Sequence, residues 1–309
     1  MKHIFVHEVG PRDGLQMEQQ VVPTDIKEAW IRRIMDSGVD VVQVGSFVHP
    51  DKVPQMADTD ELVRRLAADR RPGVTLAGLA LNERGAERGM QCGVEMFCLG
   101  ASASETHSLK NTRMSSMDAT RRIIDAGQKV LAAGKKVQVS VQSAFGCGFE
   151  GPVAEQRVLE MASAYVEAGL YHISLSDTAG HAHPPQVERL FSAVLELDPQ
   201  VECTSHFHNT YGLGMANIMA ALQVGVTSFE TSFAGLGGCP FTKVAGGSVA
   251  AVVCGCALRL VGVGVVGGVG GGGGVASGVG GVVWRVVRGG GGLAGGGGGG
   301  GAGGGGGGG

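Results

Sequence analysis

"YHISLSDTAGHAHPPQVERLFSAVLELDPQVECTSHFHN", residues 171–209, holds one complete structural repeat. A β-rich run, "YHISLSD" (171–177), leads into a loop. "PPQVERLFSAVLELDP" then carries apolar residues at three- and four-residue spacing, opens on prolines that a first helical turn tolerates, and stops at another. A second β-rich run, "VECTSHFHN" (201–209), follows. Strand, helix and strand in this order read as a parallel βαβ unit. The pattern recurs outward in both directions. Upstream lie "KKVQVSVQSA" (135–144), "GVEMFCLG" (93–100), "GVTLAGLA" (73–80), "VDVVQVG" (39–45) and "HIFVHEV" (3–9); downstream lies "VTSFETSFAG" (226–235). Most are continuous apolar runs, which suits strands buried on both faces. Between them, "PTDIKEAWIRRIMDSG" places Thr24 as N-cap and Gly38 as stop, and two more amphipathic stretches, after Met114 and Gly151, also end in Gly. Eight alternations predict an α/β fold, a (β/α)8 TIM barrel. A doubly wound open sheet is the alternative, but no Gly-x-Gly-x-x-Gly follows the first strand.

The chain has 309 residues, 43% hydrophobic and 17% charged, with a formal net charge of −3. Such a balance gives no reason to expect nucleic-acid or acidic-membrane partners. No basic region followed by an apolar run and a small-residue cleavage site opens the sequence, so the expectation is a cytoplasmic protein. Seven cysteines without a Cys-x-x-Cys pair read as reduced thiols rather than disulfides or a zinc ribbon. Composition changes abruptly after Lys243: no acidic residue follows, and of the 25 basic residues only Arg259, Arg285 and Arg288 lie beyond it. A glycine tract has the most backbone entropy to lose and no side chain to bury. The division expected is therefore a catalytic barrel over residues 1–255 and a Gly-rich segment over 256–309 whose composition is not that of a natural globular domain and carries no functional weight.

In a (β/α)8 barrel, chemistry collects at the carboxyl ends of the strands. The first strand ends in "GPRDG", presenting Arg12 and Asp13. The seventh ends in His206-Phe207-His208, and period-two geometry sends both imidazoles to one side, where they can chelate one ion. Two His and one carboxylate leave open coordination positions, a catalytic rather than a structural arrangement. Mg²⁺ or Mn²⁺ is the natural occupant, with zinc or cobalt as alternatives. The sixth strand adds Asp177, either to orient a ligand or to bond a loop or helix cap. Cys239 sits in a Gly-Gly-Cys-Pro loop after the eighth strand, an unusual place for a thiol unless it takes part in chemistry. His181 and His183 read as loop residues; Cys92, Cys98, Cys147 and Cys203 read as packing residues.

"EVGPRDGLQ" (8–16), "SFVHPDKVPQMAD" (46–58), "ASASETHSLKN" (101–111), "SLSDTAG" (174–180), "HFHNTYG" (206–212) and "GLGGCPF" (235–241) occur in this order. Together they resemble the 3-hydroxy-3-methylglutaryl-CoA lyase family, metal-dependent TIM-barrel lyases related to isopropylmalate and homocitrate synthases, over about residues 1–250. The resemblance implies that Asp13, His206 and His208 bind the divalent cation, that Arg12 and the mobile-loop Cys239 are catalytic, and that Asp177 matters for function. Three positions depart from the pattern. Gln43 stands where the family carries a Glu that supports the catalytic Arg; it keeps a hydrogen bond and loses a charge. Asn209 replaces an Asp after the His pair. Ser248 falls where the family has a metal-ligating Asn. The Gly-rich segment is where the family has its last helix and the cap over the barrel.

The implied reaction is a retro-aldol cleavage of an acyl-CoA to acetyl-CoA and a keto acid, acetoacetate for the methyl substrate. Arg12 would stabilise the enolate oxygen and Cys239 would protonate the enolate carbon. A related lyase acting on citramalyl-CoA or a longer acyl-CoA is one rival; a catalytically impaired metal-binding barrel is another. The partner expected is a small acyl-CoA, with a homodimer as the default assembly.

Overall fold

The computed structural model describes residues 3–238 and 247–250. Eight parallel strands close into a barrel in sequence order, with the first pairing both the second and the eighth. They are β1 (Phe5–Glu8), β2 (Val41–Ser46), β3 (Thr75–Leu79), β4 (Met96–Ser102), β5 (Lys136–Gln142), β6 (His172–Asp177), β7 (Glu202–Phe207) and β8 (Ser228–Thr231). Each falls within a run expected from the sequence or a residue or two beyond it. Helices α1 (Thr24–Met35), α2 (Thr59–Ala68), α3 (Glu83–Cys92), α5 (Ser116–Ala132), α6 (Glu155–Glu167), α7 (Pro184–Leu195) and α8 (Gly214–Gln223) return the chain between strands. This is a TIM barrel. The helix expected after β8, the cap, and residues 256–309 lie outside the described residues.

Two local expectations need correction. Thr24 is the first helical residue rather than the cap: Pro23 holds that place, and the Thr24 hydroxyl donates to Asp58 at 2.8 Å. An additional short helix, α4 (Glu105–Thr112), precedes α5; Ser104 starts it by accepting from the His107 amide. By contrast, α7 begins on Pro184 and Pro185 as expected, because a missing N–H costs nothing in the first turn. Gly38 has φ +84, a conformation that reverses the chain after α1 at no cost to glycine.

The main core lies between strands and helices, where Leu76, Phe97, Val139, Leu175, Phe207 and Phe229 meet the inner helix faces. A second, smaller apolar cluster of Val41, Ala77, Met96 and Cys98, with Leu79 against it, sits inside the barrel. Register explains this separation. Parallel neighbours share a face, and Val41 pairs with His7, Ala77 with Gln43 and Met96, and Cys98 with Leu79 and Gln138.

The interior is unevenly apolar, and here the sequence reading needs a further correction. β5 to β8 are not continuous apolar runs; Gln138, Ser140 and Gln142 alternate with Val137, Val139 and Val141, and the other three strands repeat the device. Helices cover the outside, so the polar set faces the interior.

Candidate active site

β1 ends in a single wide turn, Gly10–Gly14, in which the Arg12 and Asp13 amides both bond the Val9 carbonyl, at 3.0 and 2.7 Å. Gly10 is required because a Cβ there would strike the Phe233 ring. Glu8 fastens the turn to the end of β8, its Oε1 accepting from the Gly10 and Phe233 amides at 2.8 Å each. Burial pushes this carboxyl up to about 8. The turn delivers Asp13 to the barrel axis and lays Arg12 beside it, with Nη1 donating to Asp13 Oδ1 at 2.7 Å. Arg12 Nε donates to Gln43 Oε1. Gln43 therefore keeps the contact with Arg12 that the sequence suggested, as a neutral acceptor. A β-bulge in β2 directly after Gln43 shifts the register before Gly45 and brings Ser46 to the cavity wall.

From β7 come the two imidazoles. His206 Nε2 and His208 Nε2 are 3.2 Å apart, and Asp13 Oδ2 lies 4.0 Å from the first and 3.6 Å from the second. These buried atoms, all within 4.8 Å of one another, could hold a metal ion. The outer nitrogens are also fixed. His206 Nδ1 meets Glu230 Oε2 at 2.6 Å and His208 Nδ1 bonds the Thr178 carbonyl at 3.0 Å, so both Nε2 atoms turn inward. Tetrahedral all-sulfur chemistry is excluded by this donor set, whereas a hard divalent cation with open positions suits it.

Electrostatics agree with that arrangement. Burial opposes ionisation of Asp13, but Arg12 beside it and the two imidazoles hold its carboxyl well below the usual range. For Glu230 burial is likewise outweighed, chiefly by His206, and the carboxyl falls to about 2. His206 is raised: burial opposes its charge, and Glu230 more than offsets that.

Ser248 joins the cluster, bridging to His208 in the backbone and donating from Oγ to Asp13 Oδ2 at 3.2 Å. Gly237 passes so near that a Cβ there would lie 2.7 Å from Asp13 Oδ2. Asp177 is kept out of the cavity. Its carboxylate accepts from the His181 and Ala182 amides at 2.8 and 3.2 Å, and burial pushes it up to about 6. Of the two roles open to it in the sequence, the loop bond is the one present; it reaches His208 only through the neighbouring Thr178 carbonyl. Asn209 acts similarly on the next loop, its Oδ1 accepting from the Gly214 amide at 2.9 Å, an acceptor's task that an amide performs without charge. Cys239 lies outside the described residues. Cys92, Cys98, Cys147 and Cys203 are buried, as expected of packing residues.

Three residues of the site escaped the sequence reading. Glu230 holds His206, Gln138 donates to Glu230 Oε1 at 2.5 Å, and Gln16 reaches Asp13 Oδ1 at 3.3 Å. A lone acid between Ser and Phe on one side and Thr-Ser-Phe on the other was the available signal for Glu230. The alternation in "KVQVSVQ" was the signal for Gln138.

Arg12, Asp13, Gln43, Gln138, His206, His208 and Glu230 line one end of a cavity of about 590 Å3. Its other flank, over the mouths of β2 to β4, is lined by Lys52, Asn82, Arg84, Asn111 and Arg122. Arg88 also lines it but is paired with Asp60.

Comparison with known proteins agrees with the fold. The family model described as HMGL-like matches residues 3–265. A Bacillus subtilis hydroxymethylglutaryl-CoA lyase, YngG, is 36% identical over 249 residues, covering 81% of this chain and 83% of that protein. A Pseudomonas aeruginosa 3-hydroxy-3-isohexenylglutaryl-CoA/hydroxymethylglutaryl-CoA lyase is 39% identical over 249 residues, 81% of this chain and 82% of that protein. Among solved structures, an HMG-CoA lyase from Acinetobacter baumannii in complex with coenzyme A and 3-methylmalate matches with TM-score 0.85 and 32% identity, over 93% of this chain and 90% of that one. By sequence and by architecture, the chain belongs to the HMGL-like family.

Proposed function

We propose that this chain is a hydroxymethylglutaryl-CoA lyase-like carbon–carbon lyase that cleaves a 3-hydroxy-3-substituted glutaryl-CoA to acetyl-CoA and a 3-oxo acid. The observation that carries the reading is the convergence of Asp13, His206 and His208 at the end of a cavity where Arg12 bonds the same carboxylate.

A divalent cation, Mg²⁺ or Mn²⁺ in this reading, supplies Lewis acidity toward the substrate's tertiary hydroxyl and the carbonyl beside it. Asp13, His206 and His208 would hold it, and Ser248 Oγ, 3.2 Å from Asp13 Oδ2, could add a fourth protein atom. Glu230 and the Thr178 carbonyl hold the imidazoles in the ligating tautomer. The Arg12 guanidinium stabilises the thioester oxygen as enolate charge develops there. Gln43 fixes the plane of that guanidinium. Cys239 is the proton donor to the enolate carbon in this proposal, and Asp177 is a positioning residue for the loop behind His208.

Coenzyme A brings phosphates, and the flank with Lys52, Arg84 and Arg122 suits them; among the described residues these three have no carboxylate partner. A cytoplasmic setting belongs to the proposal, supported by the free thiols. Among the described residues no helix is long and apolar enough to cross a membrane.

The test is an acyl-CoA cleavage assay with and without Mg²⁺. Acetyl-CoA should form from 3-hydroxy-3-methylglutaryl-CoA only when a divalent ion is supplied, and chelation should stop it. Cleavage insensitive to chelation, or no cleavage of any 3-hydroxyacyl-CoA, would overturn the assignment.

A further inference from the structure

One charged side chain lies where the helix pattern calls for an apolar one. The buried face of α1 is Lys27, Ile31, Ile34 and Met35, and Lys27 is 2% exposed. A buried ammonium costs free energy unless it is paired, and a methionine would fill similar volume without that cost. Lys27 is paired, and both partners belong to one segment. Its Nζ donates to the Gln55 carbonyl and to Asp58 Oδ1, the latter at 2.7 Å. The other oxygen of Asp58 accepts from the Thr24 hydroxyl at 2.8 Å, so α1 grips this carboxylate twice.

The segment is the β2–α2 loop, residues 47–58. Its first half lines the cavity with Val48, His49, Pro50, Lys52 and Val53. The tip is bonded to itself: the Lys52 and Val53 amides both reach the His49 carbonyl, at 2.9 and 3.4 Å. Attachment to the barrel comes at the two ends. At the entry, Arg88 donates to the Val48 carbonyl at 3.3 Å. At the exit, Lys27 holds Gln55 and Asp58, and the Gln55 side chain donates to the Glu18 carbonyl at 2.7 Å. Arg88 lines the cavity; Lys27, Gln55 and Asp58 do not. Thr59, the next residue, packs on β2 at Gly45, where a Cβ would strike its side chain. The exit is thus pinned to α1 on one side and to β2 on the other.

At the tip, His49 faces Asp51 at 3.5 Å, whereas Lys52 is exposed on the cavity rim. An ammonium on a flexible stem recognises phosphate as a point charge, and ordering it and its loop on binding costs affinity. A loop already held in place avoids that cost. Resting on the acyl-CoA reading above, we propose that Lys27 is a positioning residue for coenzyme A: from outside the barrel it holds the β2–α2 loop so that Lys52 meets a phosphate of the ligand. Lys27 itself touches neither the ligand nor the ion-binding cluster. Without its charge the Gln55 carbonyl and Asp58 lose their shared donor, and the exit of the loop loosens. The consequence falls on ligand affinity rather than on bond breaking, because Arg12, Asp13, His206 and His208 stand at the ends of β1 and β7, away from this loop.

The test reads calorimetric affinity for coenzyme A itself, beside steady-state cleavage of 3-hydroxy-3-methylglutaryl-CoA. Lys27→Met fills the volume and removes the charge. It should weaken coenzyme A about tenfold, as expected for one hydrogen bond to a charged group, and raise KM similarly with little change in kcat. Lys52→Ala should cost as much, and the double variant should lose no more than either single one. Losses that add would make Lys27 a support of general stability and overturn the proposal; so would a fall in kcat with KM unchanged. Should Lys27→Met fail to fold, Asp58→Asn replaces it in the same cycle, with a smaller loss expected in the same direction and unchanged affinity overturning the proposal. Wild-type protein that binds no coenzyme A would overturn the acyl-CoA reading and the proposal with it. Equal affinity in wild type and Lys27→Met would overturn the proposal alone.

Discussion

Inside the barrel, the stretch from β2 to β4 is closed by Val41, Ala77, Met96 and Cys98, whereas the stretch from β5 to β8 presents residues such as Gln138, Ser174, Thr204, His206, Ser228 and Glu230. One wall is held by contact, the other by hydrogen bonds. The polar wall continues below the ion-binding cluster as a ladder. His172 Nε2 meets Thr204 Oγ1 at 2.8 Å, Thr204 bonds Ser228 at 3.0 Å, and Ser228 meets His7 at 3.0 Å. Buried groups of this kind cost free energy unless paired, so a fold keeps them where pairing also serves a ligand. The apolar wall gives the barrel a packed floor; the polar wall gives it a site. Substitutions on each side should therefore fail in different assays.

The largest expected effect falls on the apolar side. Met96 is 3% exposed within the small interior cluster, so Met96→Ala should lower stability by about 2–5 kcal/mol in denaturant titration. Metal affinity per folded molecule should hold. A loss under about 1 kcal/mol would mean the two walls are not mechanically distinct.

Next comes Glu230→Gln on the polar side. The amide can still face His206 but lacks the charge that raises it, and the cost should be about 10–100-fold in metal affinity or turnover. Unaltered Mn²⁺ binding by calorimetry would remove Glu230 from the support of the ligand set.

Acid should separate the walls further. Burial pushes His172 down to about 3, with His7 adding to the shift, and burial lowers His7 as well. A histidine whose folded pKa lies below its unfolded value binds its proton more readily when unfolded, so stability falls as pH drops from about 6.5 toward 3. His172→Gln should lose part of that acid sensitivity, seen as a shallower fall of Tm between pH 7 and 4. Parallel curves for wild type and variant would contradict the assignment.

Ser174→Ala should have the smallest effect. Its hydroxyl has no partner among the described residues, so removing it should leave Tm unchanged or slightly raised. A drop comparable to Met96→Ala would show that the hydroxyl is paired in solution.

The strand count was legible because helices on the outside force each strand's outer face to be apolar, whatever faces inward. Arg12, Asp13, His206 and His208 were legible as well, since each sits at a strand end within a motif that has few other uses. The split between the walls was not read, although "KVQVSVQ" and "HISLSD" display it as strict alternation. Averaging over eight runs hid a feature confined to four of them. Glu230 and Gln138 were missed for another reason. They meet only because β5 and β8 face one another across a closed barrel, a relation absent from any local window. Thr24 misled because a Thr before a helix is a good cap on average, and here its hydroxyl is drawn away by Asp58, thirty-four positions further on.

Gly100 and Ser140 occupy one shared volume: the bare backbone on β4 is where the hydroxyl on β5 goes. Bulk can thus be exchanged between two adjacent staves without altering the total. Alanine at 100 with glycine at 140 would keep the filling and move the hollow by one strand spacing. Such a paired exchange offers lyases of this shape a route to new acyl chains that leaves every ion-holding side chain untouched.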